Sequence, residues 1–340
     1  MTKQRLKVVT IGGGTGHFAL LSGLKGHDVD ITAIVTMADS GGSTGRLRDE
    51  LGVLPPGDVR QCLVALSDAD ETMRQVFAHR FDTGTLKGHT LGNVFLSGLE
   101  QVTGSFDEAV ERVGDLLKIR GRVLPVSHDA MHLRMTLNNG KVLEGEDAID
   151  TYQHISRFGV ASIELASVAR INPAARAALK EADLIVVGPG DLYTSIMPNL
   201  LVKGVAHALQ RTSARRVFVA NLMNKYGQTD GLTVCEYLDE CRRFVSGQLF
   251  DTVLYNTTKP ATQLLAKYLD EGEPVHFRSE NCPEGVEIVG ADILAAQAAG
   301  RVRGDSVARS FIRHDPDKLA RALLGLVSST MHRYAGKRTT

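Results

Sequence analysis

The chain of 340 residues has no tryptophan, and aromatic residues make up only 5% of it. That excludes aromatic platforms of the kind that stack single-stranded bases or sugar rings. It also lacks an excess of either charge: Lys plus Arg number 39 and Asp plus Glu number 39, so the formal net charge is zero. A bulk electrostatic grip on nucleic acid or on a membrane surface does not follow from such a balance, and any phosphate must be held locally. Cysteine is scarce. Cys62, Cys235, Cys241 and Cys282 form no CxxC and offer neither zinc-cluster spacing nor a disulfide framework, so reduced thiols are expected. No unbroken apolar run approaches the ~18 residues of a membrane span. Residues 6–24 are interrupted by Gly12, Gly13, Gly14, Gly16 and His17, unlike the apolar region of a signal peptide. The expectation is a soluble, cytoplasmic protein with no membrane span.

Glycine is abundant, at 34 of 340 residues, above the usual ~7%, and its distribution is informative. Residues 6–11 are apolar and run into Gly12-Gly13-Gly14-Thr15-Gly16, after which 18–24 resume with helical spacing. The strand-then-helix rhythm recurs at 183–188 with 200–210, at 216–221 with 233–245, and at 252–256 with 262–269, while 30–37 reads as a further strand. Such alternation calls for an α/β fold, a mostly parallel sheet covered on both faces. At ~150 residues per domain the length allows two units or one large α/β domain. We read one domain over 1–328, with a helical and hairpin insertion at about 104–180 around Asn138-Asn139-Gly140, a turn signal. Helices are expected at 72–81, 92–102, 106–120 and 317–329, and 330–340 reads as a flexible basic tail.

Four loops carry candidate chemistry. Gly12 to Gly16 lies between a strand and a helix, where backbone N–H groups and the helix dipole suit a phosphate; a tight turn is the competing reading. Gly14-x-Gly16-x-x-Ala19 meets a relaxed dinucleotide fingerprint, which keeps a nicotinamide-dependent oxidoreductase in view, but no Walker-type Gly-Lys-Ser/Thr follows. Asp39-Ser40-Gly41-Gly42-Ser43-Thr44-Gly45-Arg46-Leu47-Arg48 gathers a carboxylate, hydroxyls, glycines and two guanidiniums at a strand's end; a solvated loop is the alternative. Asp58-x-x-Gln61 reads equally as a helix N-cap or as a ligand site, and with Asp39 it would form a two-carboxylate Mg²⁺ site. Gly188-Pro189-Gly190-Asp191-Leu192-Tyr193-Thr194-Ser195 is a second anion cradle or a structural turn. Weaker signals are His89 and Asn93 in the Lys87–Asn93 stretch, Asn221 at a strand end, Tyr268 and Arg313. No Ser-His-Asp, Cys-His or HExxH arrangement is legible, so hydrolysis by an activated nucleophile is unsupported.

These loops, together with Gly88-His89-Thr90-Leu91-Gly92-Asn93 and Asn221-Leu222-Met223, resemble the YvcK-type (gluconeogenesis factor) branch of the superfamily shared with the CofD 2-phospho-L-lactate transferases. The likeness runs from about residue 6 to 328. It implies a Rossmann-like, doubly wound fold and a UDP-sugar ligand such as UDP-N-acetylglucosamine. It further implies a regulatory role linking cell shape and envelope synthesis to growth on gluconeogenic carbon sources, and it implies no catalysed reaction of its own. The binding set expected for such a ligand is Gly12, Gly13, Gly14, Thr15, Gly16, Asp39, Ser40, Gly41, Gly42, Arg46, Gly188, Gly190, Tyr193, Thr194, Ser195 and Asn221, with Tyr268 and Arg313 completing the pocket. In the transferase branch, acids at the places of Asp39 and Asp58 would hold a divalent metal, and a Mg²⁺-dependent transferase using a nucleotide-activated donor is the alternative function. Two departures stand out. Asp191 replaces the more usual Ser, and Ser40 stands where the transferases carry a second acid. Further expected partners are other copies of the chain and a regulated protein, with no nucleic acid.

Overall fold

The computed structural model describes residues 5–268, 271–279, 282–296 and 311–335, with side chains to 327. Seven strands form one sheet: β1 (Leu6–Gly12), β2 (Val29–Val35), β3 (Arg122–Pro125), β7 (Leu184–Val187), β8 (Arg215–Val219), β9 (Thr252–Asn256) and β10 (Glu287–Ala291). Their order is β10-β9-β8-β7-β1-β2-β3, and every pairing is parallel. Val8, Val9, Ile11, Ile34 and Leu184 to Val187 are each at most 2% exposed, as expected for a parallel sheet covered on both faces. This is the α/β, Rossmann-like arrangement that the alternating pattern implied.

The chain builds β2 and β3 on one side of β1, then crosses to the other side with β7 and continues outward. The strand order therefore reverses between β1 and β7. Right-handed crossovers in opposite directions place helices on opposite faces. On one face α1 (Gly14–Leu24) packs against α3 (Gly57–Leu66) and α14 (Pro316–Ala335). A Cβ on Gly23 would lie 2.0 Å from the Pro316 carbonyl oxygen, so that glycine sets how closely α1 and α14 approach. On the other face α9 (Pro173–Glu181) packs against α11 (Val205–Arg211). The remaining helices near β2 and β3 are α2 (Gly42–Leu51), α4 (Glu71–Ala78), α5 (Leu91–Thr103) and α6 (Phe106–Leu117).

A second, three-stranded antiparallel sheet has the order β5-β4-β6, from β4 (Leu133–Leu137), β5 (Val142–Glu144) and β6 (Val160–Leu165). Its hairpin turns at Asn138-Asn139-Gly140, where Gly140 takes φ 84°, a left-handed conformation that suits glycine. Between β5 and β6 lie the short helices α7 (Glu146–Thr151) and α8 (Ile155–Phe158). Within the expected 104–180 insertion, β3 is a strand of the main sheet and α6 and α9 are among the helices that cover it, so only the small sheet and its helices stand off it. The third strand, β6, had no counterpart in the sequence reading.

Other differences are local. The helix expected over 200–210 starts only at Val205, as α11 after Gly204, and a π-helical turn (Leu192–Ile196) and α10 (Met197–Leu201) precede it. The helix α12 (Val234–Phe244) matches its expected span, because Thr233 and Glu236 form a reciprocal capping box. After β9 the helix α13 (Thr262–Ala266) stops short of the expected 269. The last helix continues to Ala335, so the expected tail is helical that far, and 336–340 lie outside the described residues. Cys235 and Cys282, 47 residues apart, are joined in a disulfide, which corrects the expectation of four reduced thiols; Cys62 and Cys241 are free and buried. A pairing this distant has no local signature. No helix among the described residues is long and apolar enough to cross a membrane.

Candidate functional site

Open α/β sheets bind ligands beyond the carboxyl ends of their strands where the strand order reverses, here between β1 and β7. Both glycine loops leave the sheet at that point, and a cleft of 740 Å³ opens beside them. Its walls include Thr15, Gly16, Gly190, Asn221, Tyr268 and Arg313. Sequence positions spread over some 300 residues are thereby brought to one cavity.

The two loops pack directly on each other. A Cβ on Gly16 would meet the Pro189 carbonyl oxygen at 2.6 Å, and one on Gly190 would meet the Gly13 carbonyl oxygen at 3.3 Å. Gly14 adopts φ 69°, the left-handed conformation that lets β1 turn at once into α1. The first N–H groups of a helix lack intrahelical acceptors. One of them is already engaged: Gly14 N–H donates to Asp58 Oδ1 at 3.0 Å. The N–H groups of this edge of α1 that Asp58 does not engage are those of Thr15 and Gly16. Gly190 N–H donates to Asn221 Oδ1 at 3.2 Å, so Asn221 fixes the second loop. Ser195 Oγ lies 3.7 Å from the Cβ that Gly14 lacks.

Asp58 does not cap its own helix. Pro56 holds the N-cap position of α3 without a side-chain bond, and Asp58 in the first turn reaches across to α1. Asp39 sits beside it, with Oδ1 accepting from Gly41 N–H at 3.0 Å. Burial pushes the Asp58 carboxyl up to about 7, with repulsion from Asp39 adding to the shift, and burial likewise raises Asp39. Glu146 of α7 is pushed up to about 8 by burial and by Asp39 and Asp150. These carboxylates crowd one another at the glycine loop. Among the described residues, no group of three or more His, Cys, Asp or Glu is arranged to hold a metal ion. A Mg²⁺ here would rest on the Asp39 and Asp58 pair, with its remaining positions left to water and ligand phosphate.

Several candidates serve other parts of the molecule. Tyr193 is 4% exposed and donates from Oη to Glu240 at 2.8 Å, and Thr194 is also buried, so neither is among the residues lining the cleft. Arg46 donates to the Lys87 carbonyl at 3.1 Å and Arg48 Nε donates to Asp49 at 2.8 Å, both away from the cleft wall. Ser40 Oγ accepts from Asp147 N–H, which ties its loop to α7. His89 and Asn93 form a buried chain with Ser43 and Arg60: Ser43 Oγ to His89 Nδ1 at 3.1 Å, Asn93 to Ser43 at 3.3 Å, and Arg60 Nε to Asn93 at 2.9 Å. That network supports the Asp39 loop from beneath. Gly41 and Gly42 start α2, and Gly188 ends β7; their part is to shape the turns.

Sequence reasoning missed Lys225 and Asp150. Lys225 Nζ lies 3.6 Å from Asp191 and also pairs with Asp150, and all three line the cleft. Burial lowers the Lys225 pKa, but Asp191 and Asp150 outweigh that and raise it. The unusual Asp191 thus meets a cation at the second glycine loop. The stretch Asn224-Lys225-Tyr226-Gly227, just past Asn221, was the available signal. Tyr268 and Arg313 also line the cleft; Tyr268 is buried and burial lowers the Arg313 pKa, so a charged guanidinium is held in a partly dry wall.

The sequence model of the family described as 2-phospho-L-lactate transferase CofD matches residues 8–294. The chain is 37% identical over 328 residues to the protein named gluconeogenesis factor of Bacillus subtilis, covering 95% of this chain and 99% of that one. It is 38% identical over 330 residues to the gluconeogenesis factor of Listeria innocua, covering 96% of this chain and 98% of that one. A crystal structure of a UPF0052 family protein from Bacillus halodurans superposes with a TM-score of 0.86 at 36% identity, covering 95% of this chain and 99% of that one.

Proposed function

This chain belongs to the CofD family, among relatives named gluconeogenesis factor, and on that premise we propose that it is a nucleotide-sugar-binding regulatory protein. Its ligand in this reading is a UDP-sugar, UDP-N-acetylglucosamine first, and its role is to support cell shape and envelope synthesis on gluconeogenic carbon. The observation that carries the reading is the 740 Å³ cleft at the β1/β7 reversal, lined by residues of the two contacting glycine loops and by Tyr268 and Arg313. A volume of this size suits a small-molecule ligand. The N–H groups of Thr15 and Gly16 face a diphosphate, Asn221 keeps the second loop in place, and Arg313 supplies a charge-assisted contact.

The paired carboxylates favour a second reading, a Mg²⁺-dependent transferase acting on a nucleotide-activated donor. Asp39 and Asp58 fit a cation, because burial raises the cost of ionising both, Asp39 adds to that cost at Asp58, and a bound ion would relieve it. A metal held there would neutralise charge on a diphosphate leaving group. Calorimetry with UDP-N-acetylglucosamine, GDP and NAD tests both readings. Saturable binding of the UDP-sugar with no turnover supports the first. No binding at millimolar ligand refutes it, and Mg²⁺-dependent product formation that Asp39→Asn abolishes establishes the second.

A further inference from the structure

On the face of the sheet that α9 and α11 cover lies a second concavity, of 610 Å³, that shares no residue with the cleft. Arg176 and Lys180 line it from α9, His207 and Arg211 from α11, and Arg170 and Lys203 from the segments that lead into those helices. The two leading segments are fixed side by side: Lys203 N–H donates to the Ala169 carbonyl at 2.9 Å and Ile171 N–H to the Lys203 carbonyl at 3.1 Å. Arg170 and Lys203 thereby occupy paired positions of a parallel bridge. Gly204 and Ala208 also line the groove, and the Arg176 guanidinium lies 3.2 Å from where a Cβ on Gly204 would be. The absence of a side chain there gives the guanidinium its place.

None of the side-chain nitrogens of Arg170, Arg176, Lys180, Lys203 and Arg211 forms an ion pair with a carboxylate within 4.0 Å among the described residues, although Asp129 Oδ2 accepts from the Arg170 backbone N–H at 2.7 Å. Five cations and a histidine therefore share one groove in a chain whose net charge is zero. Like charges one helical turn apart, as at Arg176 with Lys180, cost stability when nothing lies between them. The spacing also describes what would relieve that cost. Each helix presents a pair of basic groups about 6 Å apart along its axis, and the helices themselves lie roughly 8–10 Å apart. A single phosphate spans one rung of this array, and a ligand with two or more linked phosphates spans both.

We propose that the α9/α11 groove is a second anion site, which binds a small polyphosphorylated ligand. Guanidiniums at Arg176 and Arg211 grip phosphate oxygens in a forked geometry, and Lys180, Lys203 and Arg170 add charge. Its concavity favours a compact ligand over a bilayer, and the lack of aromatic side chains in its wall gives no platform for the bases of a nucleic acid.

The test is titration of the full chain with inorganic tripolyphosphate and with orthophosphate, followed by calorimetry at low salt. Three proteins are compared: wild type, the double variant Arg176→Glu with Arg211→Glu, and the cleft variant Arg313→Ala. We expect one tripolyphosphate per chain, at least tenfold tighter than orthophosphate, weakened at least tenfold in the double variant and unchanged in Arg313→Ala. Arg176→Gln with Arg211→Gln replaces the double variant should the latter lose its native circular dichroism. No saturable binding overturns the proposal. So does binding that survives the double variant but is lost in Arg313→Ala, or an RNA oligonucleotide or polyglutamate that occupies the groove more tightly than tripolyphosphate. UDP-sugar binding by the double variant is read separately, so failure of either site leaves the other's result intact.

Discussion

Asp58→Asn is expected to stabilise the protein while damaging its site. In the folded chain the Asp58 carboxyl is raised from 3.8 to about 7, by burial and by Asp39. Between those values the folded state holds a proton that the unfolded state has released, so stability falls as pH rises from about 4 to 7 and stays low above that. A shift of about 3 pH units at about 1.4 kcal/mol each corresponds to about 4 kcal/mol lost by pH 8. Asparagine carries no charge, and its side-chain oxygen still accepts from Gly14 N–H. With an unfolding entropy of about 2.1 cal/mol/K per residue, 4 kcal/mol in a chain this long moves Tm by about 6 °C. Differential scanning calorimetry of both proteins from pH 5 to pH 8 is the assay. The Tm gap should open in favour of Asp58→Asn as pH rises, and millimolar Mg²⁺ should narrow it by stabilising wild type alone. A variant no more stable than wild type at pH 8, or a gap that does not change with pH, would refute the reasoning.

Other outcomes follow from single contacts. Gly16→Ala puts a Cβ 2.6 Å from the Pro189 carbonyl oxygen, which should cost about 1–3 kcal/mol in urea unfolding and abolish ligand binding. Gly98→Ala in α5 meets nothing within 4 Å and should instead stabilise by about 0.5–1 kcal/mol in the same assay. Asn221→Ala frees the second loop; losing that bond should weaken UDP-sugar affinity by about 1 kcal/mol or more in calorimetry, with a smaller change in stability. Alkylation of the unreduced, unfolded chain should modify two cysteines by mass spectrometry, since Cys235 and Cys282 are paired.

Much of the fold was legible because parallel strands covered on both faces leave short apolar runs, and glycine marks where they turn into helices. Residues 6–12, 184–187 and 252–256 carried that signal plainly. The span of α12 was legible, and its start is set by the capping box at Thr233 and Glu236, whereas Asp58 stayed open between an N-cap and a ligand site because its partner is 44 residues away and not three. Proximity of this kind leaves no periodic trace. The small sheet's third strand was missed for a similar reason, since β6 pairs with β4 across two short helices. At the site, backbone loops were easier to read than side chains. Gly16 and Gly190 line the cleft, whereas Tyr193 and Arg46, of the right chemistry and in the right loops, turned toward Glu240 and Lys87. Lys225 went unnoticed because its meaning depends on Asp150 and Asp191, which only the fold brings to it.

A crystal structure of the chain with UDP-N-acetylglucosamine tests the central claim most directly. The account predicts the diphosphate against the N–H groups of Thr15 and Gly16 beside the Gly188–Ser195 loop, with the rest of the ligand extending toward Tyr268 and Arg313. A ligand bound elsewhere with the cleft open, or no ligand density from crystals grown at millimolar UDP-sugar, would contradict it.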